Sequence, residues 1–184
     1  MKRRPYRLGI IVGRFQIFHA GHEFMIDKAV ELCENVGIFI GSSQESGTYK
    51  NPFTYETRKG LIEAVYGDKI KVFPLPDIGV GNNNKWGDYV IENVEERFDT
   101  DPDLFISGKE ERRIDWFDSV KGLTISELYV PKTVEISASQ MREFMIRGDD
   151  ISWRRYTDPR LWDRFEDLRK EVLRSHVNQY TSSI

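Results

Sequence analysis

The chain has 184 residues, of which 39% are hydrophobic and 31% charged, and its formal net charge is −3. This length and apolar share predict one globular domain with a full core. Dispersed basic residues argue against binding to nucleic acid, and no apolar run reaches the roughly 18 residues that a membrane helix needs. With a single cysteine and no recognisable targeting segment, we expect a cytoplasmic protein that does not contact a membrane.

The first elements of the chain are a strand, a turn and a helix. Residues 8–12 form a short apolar run that predicts a buried strand, and residues 13–22, which read GRFQIFHAGH, form the turn. Apolar residues then recur at helical spacing as far as Cys33, which we place on the inward face of the helix. In an open parallel sheet such a corner lies at the carboxyl ends of the strands, where a helix N-terminus favours anions.

Strand and helix patterns alternate along the rest of the chain. Further strands are predicted at 36–40, 70–75, 104–106 and 123–130. Further helices are predicted at 54–65, at 86–98, from about residue 138 and at 159–173. This alternation predicts an open parallel α/β sheet. We assign residues 1–150 to the sheet domain and residues 151–184 to a C-terminal helical extension packed on it or on a neighbouring subunit.

Two histidines, His19 and His22, stand three residues apart where the first helix is expected to begin. Both imidazoles can then point over the same opening and donate hydrogen bonds to phosphate oxygens. Gly21 between them leaves room for a ligand to approach the backbone. A single histidine is more often structural, but a pair in this corner favours a phosphate site.

A second candidate cluster lies at residues 135–142, which read EISASQMR. Ser137 or Ser139 can cap a helix, and Arg142 then falls one turn inside it. Considered alone, this pattern is typical of an ordinary helix cap followed by a surface arginine.

Together the two clusters resemble a known family. Residues 13–22 resemble GRFQPFHxGH, a signature of the archaeal-type nicotinamide-nucleotide adenylyltransferases of the HxGH superfamily, with Ile17 where that family usually has proline. Residues 137–142 resemble its second signature, S-x-T-x-x-R, with Ser139 in place of threonine. The resemblance covers residues 8–147. It implies a Rossmann-like fold with helices on both faces, and an enzyme that converts ATP and nicotinamide mononucleotide (NMN) to NAD and pyrophosphate.

The resemblance also implies roles for individual side chains. Direct in-line attack on the α-phosphate needs preplaced donors for the charge that grows on the departing pyrophosphate. We assign His22 to the α-phosphate, His19 to the β- and γ-phosphates, and Arg142 to the pyrophosphate. Further nucleotide contacts are assigned to Gly13, Arg14, Phe15, Gly21, Ser42, Gly108, Ser137 and Ser139. Because the sequence suggests no protein cage for a metal, we expect Mg²⁺ to arrive with ATP.

Two more segments resemble the part of that family that binds the pyridine nucleotide. Residues 51–54 read NPFT, and Asp77 followed by asparagines and Trp86 resembles the segment whose tryptophan stacks on nicotinamide. The loop is two residues longer here, so the family's asparagine corresponds to one of residues 82–84, and we assign Asn84. Acceptor contacts are assigned to Gln44, Asn51, Phe53, Arg58, Asp77, Asn84 and Trp86.

Several alternatives stay open from the sequence. Trp86 can equally be a core anchor at the start of a helix. The phosphate acceptor can be phosphopantetheine, FMN or a phosphoalcohol, and the chain can be a non-catalytic module that senses NAD. Lys109 departs from the family's SGN pattern, so its side chain can reach the adenosine or its phosphates. We also expect the protein to be a homo-oligomer.

Overall fold

The structure, a computed structural model, describes residues 3–108 and 113–181, the last four of these by their backbone alone. Lys109 lies outside the described residues. Within them, the strands are β1 (Tyr6–Gly13), β2 (Cys33–Gly41), β3 (Lys71–Leu75), β4 (Leu104–Ser107) and β5 (Ser126–Tyr129). The α-helices are α1 (Ala20–Leu32), α2 (Tyr55–Tyr66), α3 (Asn84–Phe98), α4 (Ala138–Arg147), α5 (Asp150–Arg154) and α6 (Phe165–Thr181). Short 3-10 helices cover Gly67–Lys69, Ile114–Phe117 and Pro159–Arg164.

The five strands pair in parallel in the order β3-β2-β1-β4-β5, with β1 at the centre. In the central strand, Ile10 stands opposite Gly37 of β2 and Phe105 of β4. Because parallel strands all point the same way, the loops that follow β1, β2, β3 and β4 meet at one edge of the sheet. This confirms the predicted open parallel sheet of Rossmann-like type.

Helices cover both faces of the sheet, as predicted. Side chains of β1 alternate between the faces, so that Ile11 belongs to one buried cluster and Ile10 to the other. The first cluster includes apolar side chains of α1, α2 and α4, and the second includes those of α3 and of the 3-10 helix Ile114–Phe117. The C-terminal helices join the first cluster through Trp153, Leu161, Phe165, Leu168 and Val172. The predicted C-terminal helical tail is therefore part of the main core.

The described boundaries differ from the predicted ones at several places. Cys33 is not on the helix: α1 runs directly into β2, and Cys33 is the first residue of that strand. Its sulfur fills the space above Gly9, where an added Cβ would lie 2.4 Å from Sγ. Strand β5 is shorter than the apolar run suggested, and the last helix begins as a 3-10 turn after Pro159. A periodic pattern does not distinguish a 3-10 turn from an α-helical one over so short a length.

The turn after β1 is tied to a distant loop by one side-chain amide. Gln16 donates from Nε2 to the carbonyl oxygen of Phe53 at 2.9 Å and accepts from the backbone N–H of Phe53 at 3.0 Å. Phe15 in this turn has a φ of 52°, which lies in the left-handed region. These contacts hold the first corner of the sheet against the loop that precedes α2.

Among the helices described, none has the length and apolar character required to pass through a lipid bilayer.

Candidate functional site

The N-terminus of α1 carries both histidines, as the sequence predicts. His19 caps the helix: its Nδ1 accepts a hydrogen bond from the backbone N–H of Gly21 at 3.1 Å. Burial lowers the pKa of His19 from its ordinary 6.5 to about 4, so the ring is neutral at physiological pH. Since Nδ1 accepts, the ring proton lies on Nε2, and His19 can donate from that nitrogen.

The two imidazole rings lie against each other, with centroids 4.0 Å apart and planes inclined by 33°. His22 is also flanked by aromatic rings: its centroid is 5.0 Å from that of Phe15 and 5.9 Å from that of Phe18. These contacts restrict the orientation of His22 at the start of the helix. The predicted convergence of the two histidines on one opening is thus present in the structure.

Two adjoining cavities open at this edge of the sheet. The first has a volume of about 570 Å³, and its walls include Gly13, Arg14, Phe15, Ser42, Asp77 and Trp86. The second has a volume of about 560 Å³, and its walls include His19, Gly21, Lys132 and Ser137. Both are lined by His22, Met25, Gly108 and Arg113. His22 therefore lies at the junction of two spaces, each large enough for a nucleotide-sized ligand.

Gly108 lets α1 approach the end of β4 at this junction. A Cβ added to Gly108 would lie 2.1 Å from the sulfur of Met25, a side chain of α1. A larger residue there would have to displace the side chain of Met25, which lines both cavities.

The second cluster predicted from sequence lies beside the histidines. Ser137 caps α4 by accepting from the backbone N–H of Gln140 at 3.2 Å, and it shares the wall of the second cavity with His19. Ser139 instead accepts from Nη2 of Arg142 at 3.0 Å. Neither Ser139 nor Arg142 is among the residues that line the two cavities. Nε of Arg142 is buried and has no hydrogen-bond partner within the described part of the chain.

Two of the assigned acceptor residues are buried away from the cavities. The side chain of Phe53 is fully buried in the first apolar cluster. Arg58 is also fully buried, and its guanidinium donates to five backbone carbonyl oxygens, those of residues 14, 41, 42, 45 and 54. The expected direct contact with substrate is corrected for both. Arg58 positions the segments that carry Arg14 and Ser42.

Three further assigned residues also lie outside the cavity walls. Gln44 accepts from the backbone N–H of Asp77 at 3.0 Å, and Asn51 donates to the carboxylate of Glu45. Asn84 is the exposed first residue of α3 and does not line either cavity. The cavity wall contains Asn82 instead. Asn83 caps α3, and the assignment of Asn84 to the acceptor stays a prediction.

Trp86 is packed in the core and also lines a cavity. It is 7% exposed, and its ring meets that of Trp116 edge to face with centroids 6.4 Å apart. It also lines the first cavity, as does Trp116. Asp77 on the same wall accepts a hydrogen bond from Ser42 Oγ at 2.6 Å, which fixes both polar groups at the edge of the sheet.

Sequence reasoning assigned no site role to Arg113 or to Trp116. Arg113 lines both cavities, and its guanidinium carbon lies 5.1 Å from the centre of the Trp116 ring. It follows a run of charged residues, KEER at 109–112, which is typical of a solvated surface and gave no signal for a site.

No cluster suited to holding a metal ion occurs among the described residues, in the sense of three or more His, Cys, Asp or Glu side chains brought together.

Comparisons with known proteins show which family the chain matches. Residues 10–170 match the family model described as Cytidylyltransferase-like. The chain is similar to the nicotinamide-nucleotide adenylyltransferase of Saccharolobus solfataricus, with 41% identity over 88 residues, 45% of this chain and 50% of that protein. It is similar to the Haloarcula marismortui protein of the same name, with 27% identity over 177 residues, 95% of this chain and 88% of that protein. The matched part spans about half the length of the first relatives.

Among solved structures, the chain is similar to a bifunctional NMN adenylyltransferase/ADP ribose pyrophosphatase from Francisella tularensis complexed with AMP and a Mn ion. The TM-score is 0.73 at 24% identity, and the match covers 97% of this chain and 54% of that one. This likeness confirms the Rossmann-like fold.

Proposed function

The chain belongs to the cytidylyltransferase-like family, and we propose that it is an adenylyltransferase that joins ATP and NMN to give NAD and pyrophosphate. The observation that carries the proposal is the pair of adjoining cavities that share His22. A reaction between two nucleotides needs two such spaces that meet at the reacting phosphates. The names of the relatives from Saccharolobus solfataricus and Haloarcula marismortui support the same substrates.

The acceptor NMN occupies the first cavity in this proposal. Trp86 and Trp116 offer aromatic walls there, and an indole face suits a flat, positively charged pyridinium ring. Asp77 and Asn82 supply polar groups for the ribose or the carboxamide. Arg14 on the same wall can receive the phosphate of the mononucleotide.

ATP occupies the second cavity. His19, Lys132 and the capped N-terminus of α4 at Ser137 provide donors and positive charge for a triphosphate. Arg142 lies beside that helix start, and its buried Nε, which lacks a partner among the described residues, supports a role in receiving the departing pyrophosphate.

The proposed reaction is a direct displacement. An oxygen of the NMN phosphate bonds to the α-phosphorus of ATP, and the bond from that phosphorus to the bridging oxygen breaks, so pyrophosphate leaves with the electron pair. His22 at the junction donates a hydrogen bond to the α-phosphate as charge develops there. His19 donates from Nε2 towards the β- and γ-phosphates. The step needs no general base, because a phosphate monoester is already largely ionised near neutral pH.

Mg²⁺ belongs to the proposal as part of the substrate. The described residues offer no dedicated cage, so the ion would be held largely by phosphate oxygens of ATP and would neutralise part of their charge. The cytoplasmic location, self-association and the division into a sheet domain of residues 1–150 and an extension of residues 151–184 remain predictions.

A coupled assay of pyrophosphate release tests the function. The wild-type chain is supplied with MgATP and, in separate reactions, NMN, phosphopantetheine, FMN and a phosphoalcohol. We expect pyrophosphate and NAD to form when NMN is supplied. For His22→Ala we expect turnover to fall by about 10²-fold or more, with the fold retained. Preference for another acceptor contradicts the assignment of NMN. Binding of NAD without any pyrophosphate release shows a sensor instead of an enzyme.

A further inference from the structure

Arg113 occupies the junction of the two cavities. It lines both, together with His22, Met25 and Gly108. Met25 and Gly108 carry no charge, so Arg113 is the permanent positive charge among these shared residues. A cation in this place faces the position where the phosphates of two bound nucleotides would meet.

None of the carboxylates in the described part of the chain forms an ion pair with the guanidinium of Arg113. Within the described part of the chain it makes no ion pair and no side-chain hydrogen bond, and its Nε is buried without a partner. Its guanidinium carbon lies 5.1 Å from the centre of the Trp116 ring and faces that ring. A buried N–H donor without an acceptor is costly, and a ligand that supplies oxygen atoms would remove that cost.

The backbone of Arg113 is held in place independently of its side chain. The carboxylate of Glu127, on β5, accepts from the backbone N–H of Arg113 at 3.3 Å and from Ser107 Oγ at 2.8 Å. This ties Arg113 to the end of β4. Backbone anchoring at Glu127 and ring stacking at Trp116 fix the direction of the guanidinium, and its N–H groups have no acceptor among residues 3–108 and 113–177. Such a planar fork matches the oxygen atoms of a phosphate group.

We propose that Arg113 is a catalytic residue that contacts the phosphates of both nucleotides at the junction. It would hold the acceptor phosphate beside the α-phosphate of ATP before transfer and the diphosphate bridge of the dinucleotide afterwards. The inference rests on the proposed adenylyl transfer and adds to it a residue outside both signature segments. Its charge would stabilise the negative charge that grows on the α-phosphate oxygens in the transition state.

Three variants test the inference. Arg113→Met keeps the length and apolar stem but removes the charge, and Arg113→Lys keeps the charge without the planar fork. The control is Arg97→Met, which removes a guanidinium stacked 5.8 Å from the Phe73 ring centre and outside both cavities. We expect kcat/KM to fall about 10- to 100-fold for Arg113→Met, as for loss of a charged hydrogen bond, and less for Arg113→Lys. Arg97→Met should stay within about twofold of wild type.

A binding measurement separates phosphate contact from a structural role. Tryptophan fluorescence gives Kd for NAD, which carries the diphosphate, and for adenosine, which has none. Phosphate contact predicts that Arg113→Met raises the Kd of NAD about tenfold or more and leaves that of adenosine within about twofold. Equal losses for both ligands, or a kcat/KM near the wild-type value, overturn the inference. If the wild-type chain itself releases no pyrophosphate, the proposed function fails, whatever the Arg113 variants do.

Discussion

The guanidinium carbon of Arg142 lies 4.9 Å from the centre of the Tyr49 ring. The two residues are far apart in sequence, and this contact joins α4 to the loop before α2. The Tyr49 hydroxyl donates to Oε1 of Glu143 at 3.4 Å, and its ring centroid is 5.8 Å from that of His176 on α6. Tyr49 is thus held from two sides and presents its face to the arginine. We infer that it positions Arg142 for the leaving pyrophosphate.

Tyr49→Leu should therefore weaken adenylyl transfer. A cation–π contact of this kind contributes about 0.5–2 kcal/mol, so we expect kcat/KM for ATP to fall by about 2- to 30-fold with KM for NMN unchanged. Tyr49→Phe keeps the ring face and should retain most of the activity. Steady-state kinetics on both variants provide the measurement. A Phe variant as impaired as the Leu variant would assign the effect to the hydroxyl and Glu143 instead.

Arg58→Met should destabilise the fold strongly, although Arg58 contacts no cavity. It would leave buried carbonyl oxygens without donors, and loss of one partner from a buried charged network costs about 3–5 kcal/mol. Urea denaturation measures this change. The matched control on the same helix is Lys59→Met, which removes a half-exposed pair with Glu63 at 3.7 Å and should change stability by no more than about 0.5 kcal/mol. A small effect for Arg58→Met would show that water replaces the guanidinium.

His19 should make folding stability depend on acidic pH. Burial lowers its pKa to about 4 from 6.5, so between these values the unfolded chain binds a proton that the folded chain does not. Its stabilising contribution is complete above pH 6.5 and is lost as the pH falls towards 4. In His19→Asn, an amide oxygen can still cap α1 but nothing titrates, so this part of the pH dependence should vanish. Melting temperatures from pH 4 to 8 test this, and an unchanged profile contradicts it.

Glu23, one turn further along α1, should make folding stability depend on pH in the opposite direction. Burial, reinforced by the charges of Asp158 and Asp27, raises its pKa from 4.5 to about 7. The folded chain therefore binds the extra proton in this range, and the contribution is complete below pH 4.5 and is lost as the pH rises through 7. Glu23→Gln keeps an oxygen for the backbone N–H of Asp158, now 3.2 Å from Oε1, and should abolish this loss.

The two pH effects on α1 can be separated by the same melting curves. Between pH 4.5 and 6.5 they oppose each other, so the wild-type profile should be flatter than that of either His19→Asn or Glu23→Gln. The control is Glu34→Gln at an exposed position, which should follow the wild type. A Glu23→Gln profile identical to that of Glu34→Gln would show that Glu23 does not contribute to the pH dependence of folding stability.

Trp86→Ala should raise the KM for NMN while leaving the KM for ATP within about twofold. Stacking of a base on an aromatic side chain contributes about 1–3 kcal/mol, which corresponds to a change of about 5- to 100-fold. Because Trp86 also packs against Trp116, the variant should lose about 3–5 kcal/mol of stability. Kinetics are therefore measured well below its melting temperature, with Trp162→Phe as the control outside both cavities. Equal effects on both substrates would make Trp86 purely structural.

The sequence by itself determined the features that depend on neighbours along the chain. Apolar runs and their periods gave the order of strands and helices, since one face of each element must be buried. Ser137 was recognisable as a candidate cap because a cap bonds to an N–H only a few residues away. The prediction that His19 and His22 point over one opening likewise followed from their spacing of about one helical turn.

Only the tertiary structure decided which loop residues face the cavities. Arg58 and Phe53 turn inward because their partners are Arg14 and Gln16, 44 and 37 residues away in the chain. Arg113 reaches the junction because β4 and β5 bring its backbone to Glu127, which no local pattern encodes. Side chains in loops take their direction from contacts between distant segments. Local propensity therefore predicts where this edge of the sheet lies, while packing decides what lines it.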